Sequence, residues 1–328
     1  MAQDNSRALF VTHLGGIIAA VGSAVGLGNI WRFPYETGQN GGAAFIFVYI
    51  LCVLFLGTPL MLAELTLGRI THRNPVGAYR TLAPRAKRAW SLLGYVGAAT
   101  MLLIVGFYSV VSGWTLSYSV GAIADKIPQF GVFSQSAEGP ILWMTIFILL
   151  NTVILLGGVQ KGIERASNIL VPFLAVLLIV LCVNSLLLPK AHLGLEFLFH
   201  PDFSKISPSV VVSALGQSFF SISVGISCLL TYGSYLGDAT KMGKTAISIT
   251  LLDTLVAILA GIIIFPACYQ FGIEPGAGPG LAFITLPEVF GQMPGGYWLC
   301  VLFFILLVVA AMTSTLSMFE TPIAILVE

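Results

Sequence analysis

Charge is scarce in this chain. Asp, Glu, Lys and Arg together make up 9% of its 328 residues, where a soluble domain carries about a quarter. So little charge excludes a water-covered surface over most of the length. The net charge of +1 provides no basic footprint for nucleic acid. Metal-ligand spacing is missing as well. Cys52, Cys182, Cys228, Cys268 and Cys300 lie in or beside apolar runs, without paired loop positions, and read as small core or lipid-facing residues. No nucleophile–base pair stands out. The glycine pair before "VQKGIER" does not match a phosphate loop. The start, "MAQDNSRALF", has no short apolar core followed by a small-residue cleavage site, so no cleavable signal peptide is expected.

What the chain has instead is length of apolar run. Hydrophobic residues make up 57% of it, in stretches long enough to cross a hydrocarbon core of roughly 30 Å. The pattern predicts an all-α polytopic membrane protein with spans at about 9–35, 43–68, 91–122, 140–158, 164–188, 206–235, 244–271 and 295–327. Arg69, Arg73, Arg80, Arg85, Lys87 and Arg88 follow the second span. Lys161 and Arg165 follow the fourth, and Lys241 and Lys244 the sixth. With alternating spans these lie on one side with Arg7, while the opposite loops offer only Lys126, Lys190 and Lys205. The positive-inside rule then makes the amino terminus cytoplasmic and the location the cell's inner (plasma) membrane. Within the long outer loop 271–296, "LAFITLPEVF" reads either as a short amphipathic helix over an outer vestibule or as a plain connector. The last residues, "ETPIAILVE", run straight out of an apolar span.

Two spans carry defects. "VGSAVGLGNIWRFP" (21–34) places three glycines, Asn29, Arg32 and Pro34 inside the first, and "GQSFFSISVGISCLLTYGSY" (216–235) clusters serines and glycines inside the sixth. Unwound backbone is tolerated in the membrane only where protein buries it or it lines a wet cavity. Either defect alone is ordinary small-residue packing. Both together, five spans apart, point to a transporter site between inverted repeats. Helix amino ends there present N–H groups to an anion, and freed carbonyls hold a small cation. Asp253 lies mid-membrane in the seventh span, where a carboxylate is expected to face a cavity or a cation. Thr313, Ser314 and Thr315 add hydroxyls in the eighth, and Tyr108 a phenol in the third. Oxygen donors of this kind suit a hard cation.

"AVGLGNIWRFPYETGQNGGAAF", "ELTLGR", "KGIER" and "GQSFFSISVG" resemble the bacterial branch of the sodium:neurotransmitter symporters, a family whose leucine transporter is an established example of broken-helix transport. The resemblance runs over the whole chain. It implies an inverted-repeat transporter fold with helices 1 and 6 broken, a first repeat over 1–190 and a partial second repeat over 191–328. The family has eleven or twelve spans, so the second repeat is expected to be truncated. By motif, one sodium would take the carbonyls of Gly22, Val25 and Ala310 with the hydroxyls of Thr313 and Ser314. A second would take the Ala24 carbonyl, Asn29, Ser221, Asp253 and the substrate carboxylate. That carboxylate would meet the Leu27 and Gly28 amides and Tyr108, and the substrate side chain would face Ile104, Phe220, Ser223, Ile226 and Met318. Arg32 and Phe220 resemble the outer gate, and Arg7, Tyr235 and Glu328 the inner one. Gly162 and Pro172 match the family's Gly-X9-Pro in span five. Phe10 replaces a usual Trp, His13 a common Arg, and Asp253 a usual Asn, while the acidic partner expected for Arg32 would lie in a later span.

The resemblance implies a sodium-coupled importer of a neutral, hydrophobic or aromatic amino acid, not an enzyme, embedded in a lipid bilayer and working by alternating access. Tyr49, Gln217 and Ser221 match residues that would line the chloride site of animal members. With Asp253 beside them, two sodium ions balance that carboxylate and the substrate's, so chloride is not expected to be required. Two rivals stand beside this reading. One is a truncated, non-transporting fragment that binds amino acids weakly. The other is an intramembrane enzyme built on Asp253 and Glu64.

Overall fold

A computed structural model describes residues 9–83, 85–273 and 278–327. The Thr12 hydroxyl caps α1 (His13–Ala24), accepting from the Gly15 N–H at 2.8 Å. Such a cap satisfies one of the four orphan donors at a helix start. α1 ends where Val25 turns extended (ψ 109°). Gly26 follows, and a Cβ there would collide with the Ser314 and Tyr108 hydroxyls, so this close approach requires glycine. The chain resumes as α2 (Gly28–Gln39), inclined 42° to α1. The first span is therefore a broken pair.

α3 (Ala43–Thr71) is the second span. Pro59 has no N–H to donate, and the helix widens by a π-type turn at Val53–Gly57, where Thr58 Oγ1 donates to the Val53 carbonyl at 2.9 Å. A short helix α4 (Pro75–Leu82) leads to α5 (Arg88–Ile123). The short α6 (Phe130–Gln135) precedes α7 (Glu138–Leu155) and α8 (Gly158–Leu186). α8 opens with π-type turns over Gly158–Glu164 and carries Pro172 inside. After α9 (Ala191–Phe199) comes the expected sixth span. It is not one helix: α10 (Pro208–Ser221) and α11 (Cys228–Gly233) flank irregular residues 222–227. α12 (Met242–Phe271), α13 (Thr285–Gly291) and α14 (Gly296–Val327) complete the order. α3, α5, α7, α8, α12 and α14 are each long and apolar enough to cross a membrane, and α1 with α2 makes a seventh span. The sixth falls short of that length because its break takes six residues out of helical conformation.

α14 runs through the middle, packed along α5, α8 and α1. In its most apolar stretch 78% of residues are buried, against 11% in α7, which puts α7 on the outside. Leu103, Leu149, Val153, Leu156 and Ile179 are exposed on the perimeter, as a lipid-facing surface requires. The helix read from "LAFITLPEVF" is present in part, as a 3-10 turn at Gly278–Leu281 and α13. Between them Phe283 stacks on Phe130 at 5.4 Å and meets Trp114, Tyr118 and Trp31 edge-on at 5.1–6.5 Å. The segment around Phe283 thus covers an aromatic wall formed largely by the first and third spans.

Candidate functional site

The break in the first span leaves the Val25 carbonyl without a helical partner. Thr313 and Ser314 of α14 approach it, their hydroxyls at 3.2 and 3.3 Å. Thr313 Oγ1 lies also 3.0 Å from the Ala310 carbonyl. Four of the five oxygens assigned by resemblance to one sodium therefore converge. The backbone of Gly22 passes the same place, since a Cβ on it would lie 3.5 Å from the Thr313 Cβ. The set is carbonyls and hydroxyls with no carboxylate, which fits a small hard cation.

The second set lies on the other side of the break. Asn29 Nδ2 donates to Asp253 Oδ1 at 2.7 Å, to the Asp253 carbonyl at 3.0 Å and to Ser221 Oγ at 3.0 Å. Three oxygens thus converge on one donor, and Asn29, Ser221 and Asp253 are fully buried. Asn29 Oδ1 accepts from the Gly26 N–H at 2.9 Å. Asp253 Oδ2 accepts from Ser221 Oγ at 2.8 Å and from the Tyr49 hydroxyl at 3.4 Å. Asp253 has hydrogen-bonding neighbours on both oxygens, which a buried carboxylate requires. Gln217 Nε2 donates to the Gly28 carbonyl at 2.9 Å, while its Oε1 is buried without a partner among the described residues. Ala24, the remaining expected ligand of this set, is buried at the end of α1.

Between the two sets, the Leu27 N–H donates to the Tyr108 hydroxyl at 2.8 Å. Gly28 lies against Phe220, whose ring a Cβ at Gly28 would meet at 3.2 Å. Ile104, Phe220 and Ile226 pack half-buried against the same core cluster that holds Leu27, Tyr108 and Met318. Ser223 is buried in the second break. That break is strained: Ser223, Gly225 and Ser227 have φ of 57°, 83° and 66°, a region costly for residues with a Cβ. Glu64 of α3 helps to hold it, accepting from the Gly225 N–H at 2.6 Å. Glu64 thus serves the backbone of the second break, whereas Asp253 serves the first, and the two carboxylates form no dyad.

The Arg32 guanidinium lies 4.8 Å from the centroid of the Phe220 ring, a cation–π distance. It also pairs with Glu36 at 3.2 Å, a partner one helical turn along. Near the start of α1, the Tyr235 carbonyl accepts from the Phe10 N–H at 3.0 Å, their rings meet edge-on at 5.9 Å, and the Tyr235 hydroxyl donates to Glu320. Arg7, Glu328 and the side chain of His13 lie outside the described residues.

Sequence reasoning did not find Glu36, Glu320 or Glu164. Glu36 was accessible through its i,i+4 spacing from Arg32 once the helix is known to resume at Gly28. Glu164 carried no such signal. It lies in "KGIER" at the start of α8, yet its carboxylate accepts from Val11 N at 2.7 Å and from both Thr12 N and Thr12 Oγ1 at 3.1 Å. It ties the entry of α1 to the glycine-rich turns of the fifth span.

The profile of the sodium:neurotransmitter symporter family matches residues 7–132 and 129–328. An uncharacterized sodium-dependent transporter of Bacillus subtilis is 40% identical over 96% of this chain and 71% of its own length. Another, of Methanocaldococcus jannaschii, is 33% identical over 98% of this chain and 70% of its own. The human sodium- and chloride-dependent GABA transporter 2 is 26% identical over 95% and 60%. The crystal structure of MhsT in complex with L-phenylalanine superposes with a TM-score of 0.90 at 43% identity, covering 97% of this chain and 74% of that one. With the two broken helices and the flanking oxygen sets, these likenesses mean that the chain belongs to the sodium:neurotransmitter symporter family and is a sodium-coupled, multi-pass membrane transporter, not an enzyme.

Proposed function

We propose that this transporter imports a neutral amino acid with a large apolar or aromatic side chain. The observation that carries the reading is the Leu27 N–H on the Tyr108 hydroxyl at 2.8 Å, at the start of α2 and between two oxygen sets. Amides at a helix start attract a carboxylate, and a phenol beside them donates to the same group. Leu27, Gly28 and Tyr108 would hold the α-carboxylate. Ile104, Phe220, Ser223, Ile226 and Met318 would face the side chain, which the apolar character of four of them supports. MhsT bound to L-phenylalanine is a relative of matching fold.

Two sodium ions would couple to this substrate. One would take Gly22, Val25, Ala310, Thr313 and Ser314. The other would take Ala24, Asn29, Ser221, Asp253 and the substrate carboxylate, which makes substrate and ion binding mutually dependent. Chloride would not be required. Two residues suited to donating to chloride, Tyr49 and Ser221, already donate to Asp253, and a second anion beside that carboxylate would meet like-charge repulsion. Residues 1–190 and the partial second repeat over residues 191–328 would act as inverted repeats. Sodium would favour an outward-open state, with Arg32 and Phe220 closing the outer path and Arg7, Tyr235 and Glu328 the inner one. The lysine and arginine distribution supports a cytoplasmic amino terminus in the inner (plasma) membrane.

The test is a thermal-shift screen of the twenty amino acids in sodium and in potassium, followed by uptake into proteoliposomes with gluconate in place of chloride. Leucine, phenylalanine, tyrosine or tryptophan should stabilise the protein by mass action, in sodium only. Equal shifts in potassium, or tighter binding of glycine than of all four, would refute the reading.

A further inference from the structure

A cavity of about 530 Å³ opens where α12 begins, lined by Ile17, Ala239, Lys241, Lys244, Thr245 and Ser248. It lies apart from the transport site, at the end of the molecule that carries most of the lysine and arginine. Lys244, Thr245 and Ser248 share one face of α12, and Lys241 sits at its N-cap, just ahead of that face. Neither lysine has an anionic partner among the described residues. Asp238, three residues before Lys241, lies 3.6 Å from His72 instead. Thr245 is 1% exposed, lines the cavity and has no side-chain partner among the described residues. The first turn of α12 contains no acidic residue, so its free amides add positive potential to the same spot. Farther along this face Leu251, Leu252 and Leu255 are exposed.

We propose that this cavity binds a phosphate group, with the two ammonium groups and the Thr245 and Ser248 hydroxyls as donors. The leucines that continue the face suit the acyl chain of a phospholipid, and basic pockets between spans on the cytoplasmic side are a recurrent form of headgroup site. Free phosphate offers the same chemistry without the chain. The assignment does not depend on which amino acid the transporter carries.

The experiment uses the full chain in detergent, with native mass spectrometry after addition of phosphatidylglycerol or phosphatidylcholine. Phosphatidylglycerol should be retained preferentially, and each Lys→Gln change should weaken it roughly fivefold. The pair Lys241→Gln and Lys244→Gln should lose the preference, and the pair Lys241→Arg and Lys244→Arg should keep it. In parallel, amine-reactive labelling of Lys244 in the unsubstituted protein is compared with and without inorganic phosphate, which needs no variant to fold. Slower labelling in inorganic phosphate, with no preference among lipids, would assign the site to a free anion. Equal retention of both lipids by the unsubstituted protein and every variant, with labelling unchanged by phosphate, would overturn the proposal. Sodium-dependent amino-acid thermal shifts should stay the same in every variant.

Discussion

The two oxygen sets that flank the first break are built from similar parts, yet only one carries a charge. Around Val25 the donors are neutral carbonyls and hydroxyls from α1 and α14. Around Asn29 the donors come from α2, α10 and α12 and include the carboxylate of Asp253. A neutral set holds a cation through ion–dipole attraction alone and releases it readily when one helix shifts. A set with a buried carboxylate gains a full charge pair, but must supply hydrogen bonds to that carboxylate when no cation is present. The Asn29 amide, Ser221 and Tyr49 do so here. The contrast predicts that the charged set governs whether substrate binds and the neutral set how readily sodium leaves.

The largest effect should come from removing the charge. Asp253→Ala strips partners from Asn29, Ser221 and Tyr49 together, and losing one member of a buried charged network costs about 3–5 kcal/mol. Sodium-dependent uptake should fall below detection, and the amino-acid thermal shift should vanish. Retention of near-normal uptake would sink the assignment of this set to sodium. Asp253→Asn makes the two sets alike in charge. Its uptake should become chloride-dependent, measured as a ratio of rates in chloride and in gluconate, while the unsubstituted protein gives a ratio near one.

Next comes the neutral set. Ser314→Ala or Thr313→Ala removes one dipolar oxygen, worth about 1 kcal/mol. The half-saturating sodium concentration should rise roughly fivefold, with the substrate preference unchanged. A change of substrate preference without a sodium effect would reverse the roles of the two sets. Glu64→Ala leaves the Gly225 N–H without its acceptor in the second break. Unfolding stability should drop by about 0.5–1.5 kcal/mol, read as a lower Tm. Glu36→Gln is the smallest. An i,i+4 pair near the surface contributes about 0.3–0.5 kcal/mol, so uptake should change less than twofold.

The helical membrane architecture and both interruptions were legible in the sequence because each rests on local composition. Apolar runs set the spans, and glycine, serine and proline within them set the breaks. The extent of the second break was less legible. Ser223 and Ser227 adopt positive φ without being glycine, and contacts from elsewhere, such as Glu64 on Gly225, are needed to hold them there. The site residues were readable individually through motif resemblance, and their bonding was not. Asn29, Ser221 and Asp253 are separated by as much as 224 positions, so only packing brings them within 3 Å.

By itself, then, the sequence determined the solvent of this protein and the places where its helices must open, since both follow from residue type over short windows. The tertiary structure alone decided which groups fill those openings. It set Tyr108 on the Leu27 amide, Glu164 on the entry of α1 and Glu64 on the Gly225 amide. The physical reason is that burial of a polar group demands a partner, and the chain satisfies that demand from whichever helix packing brings near.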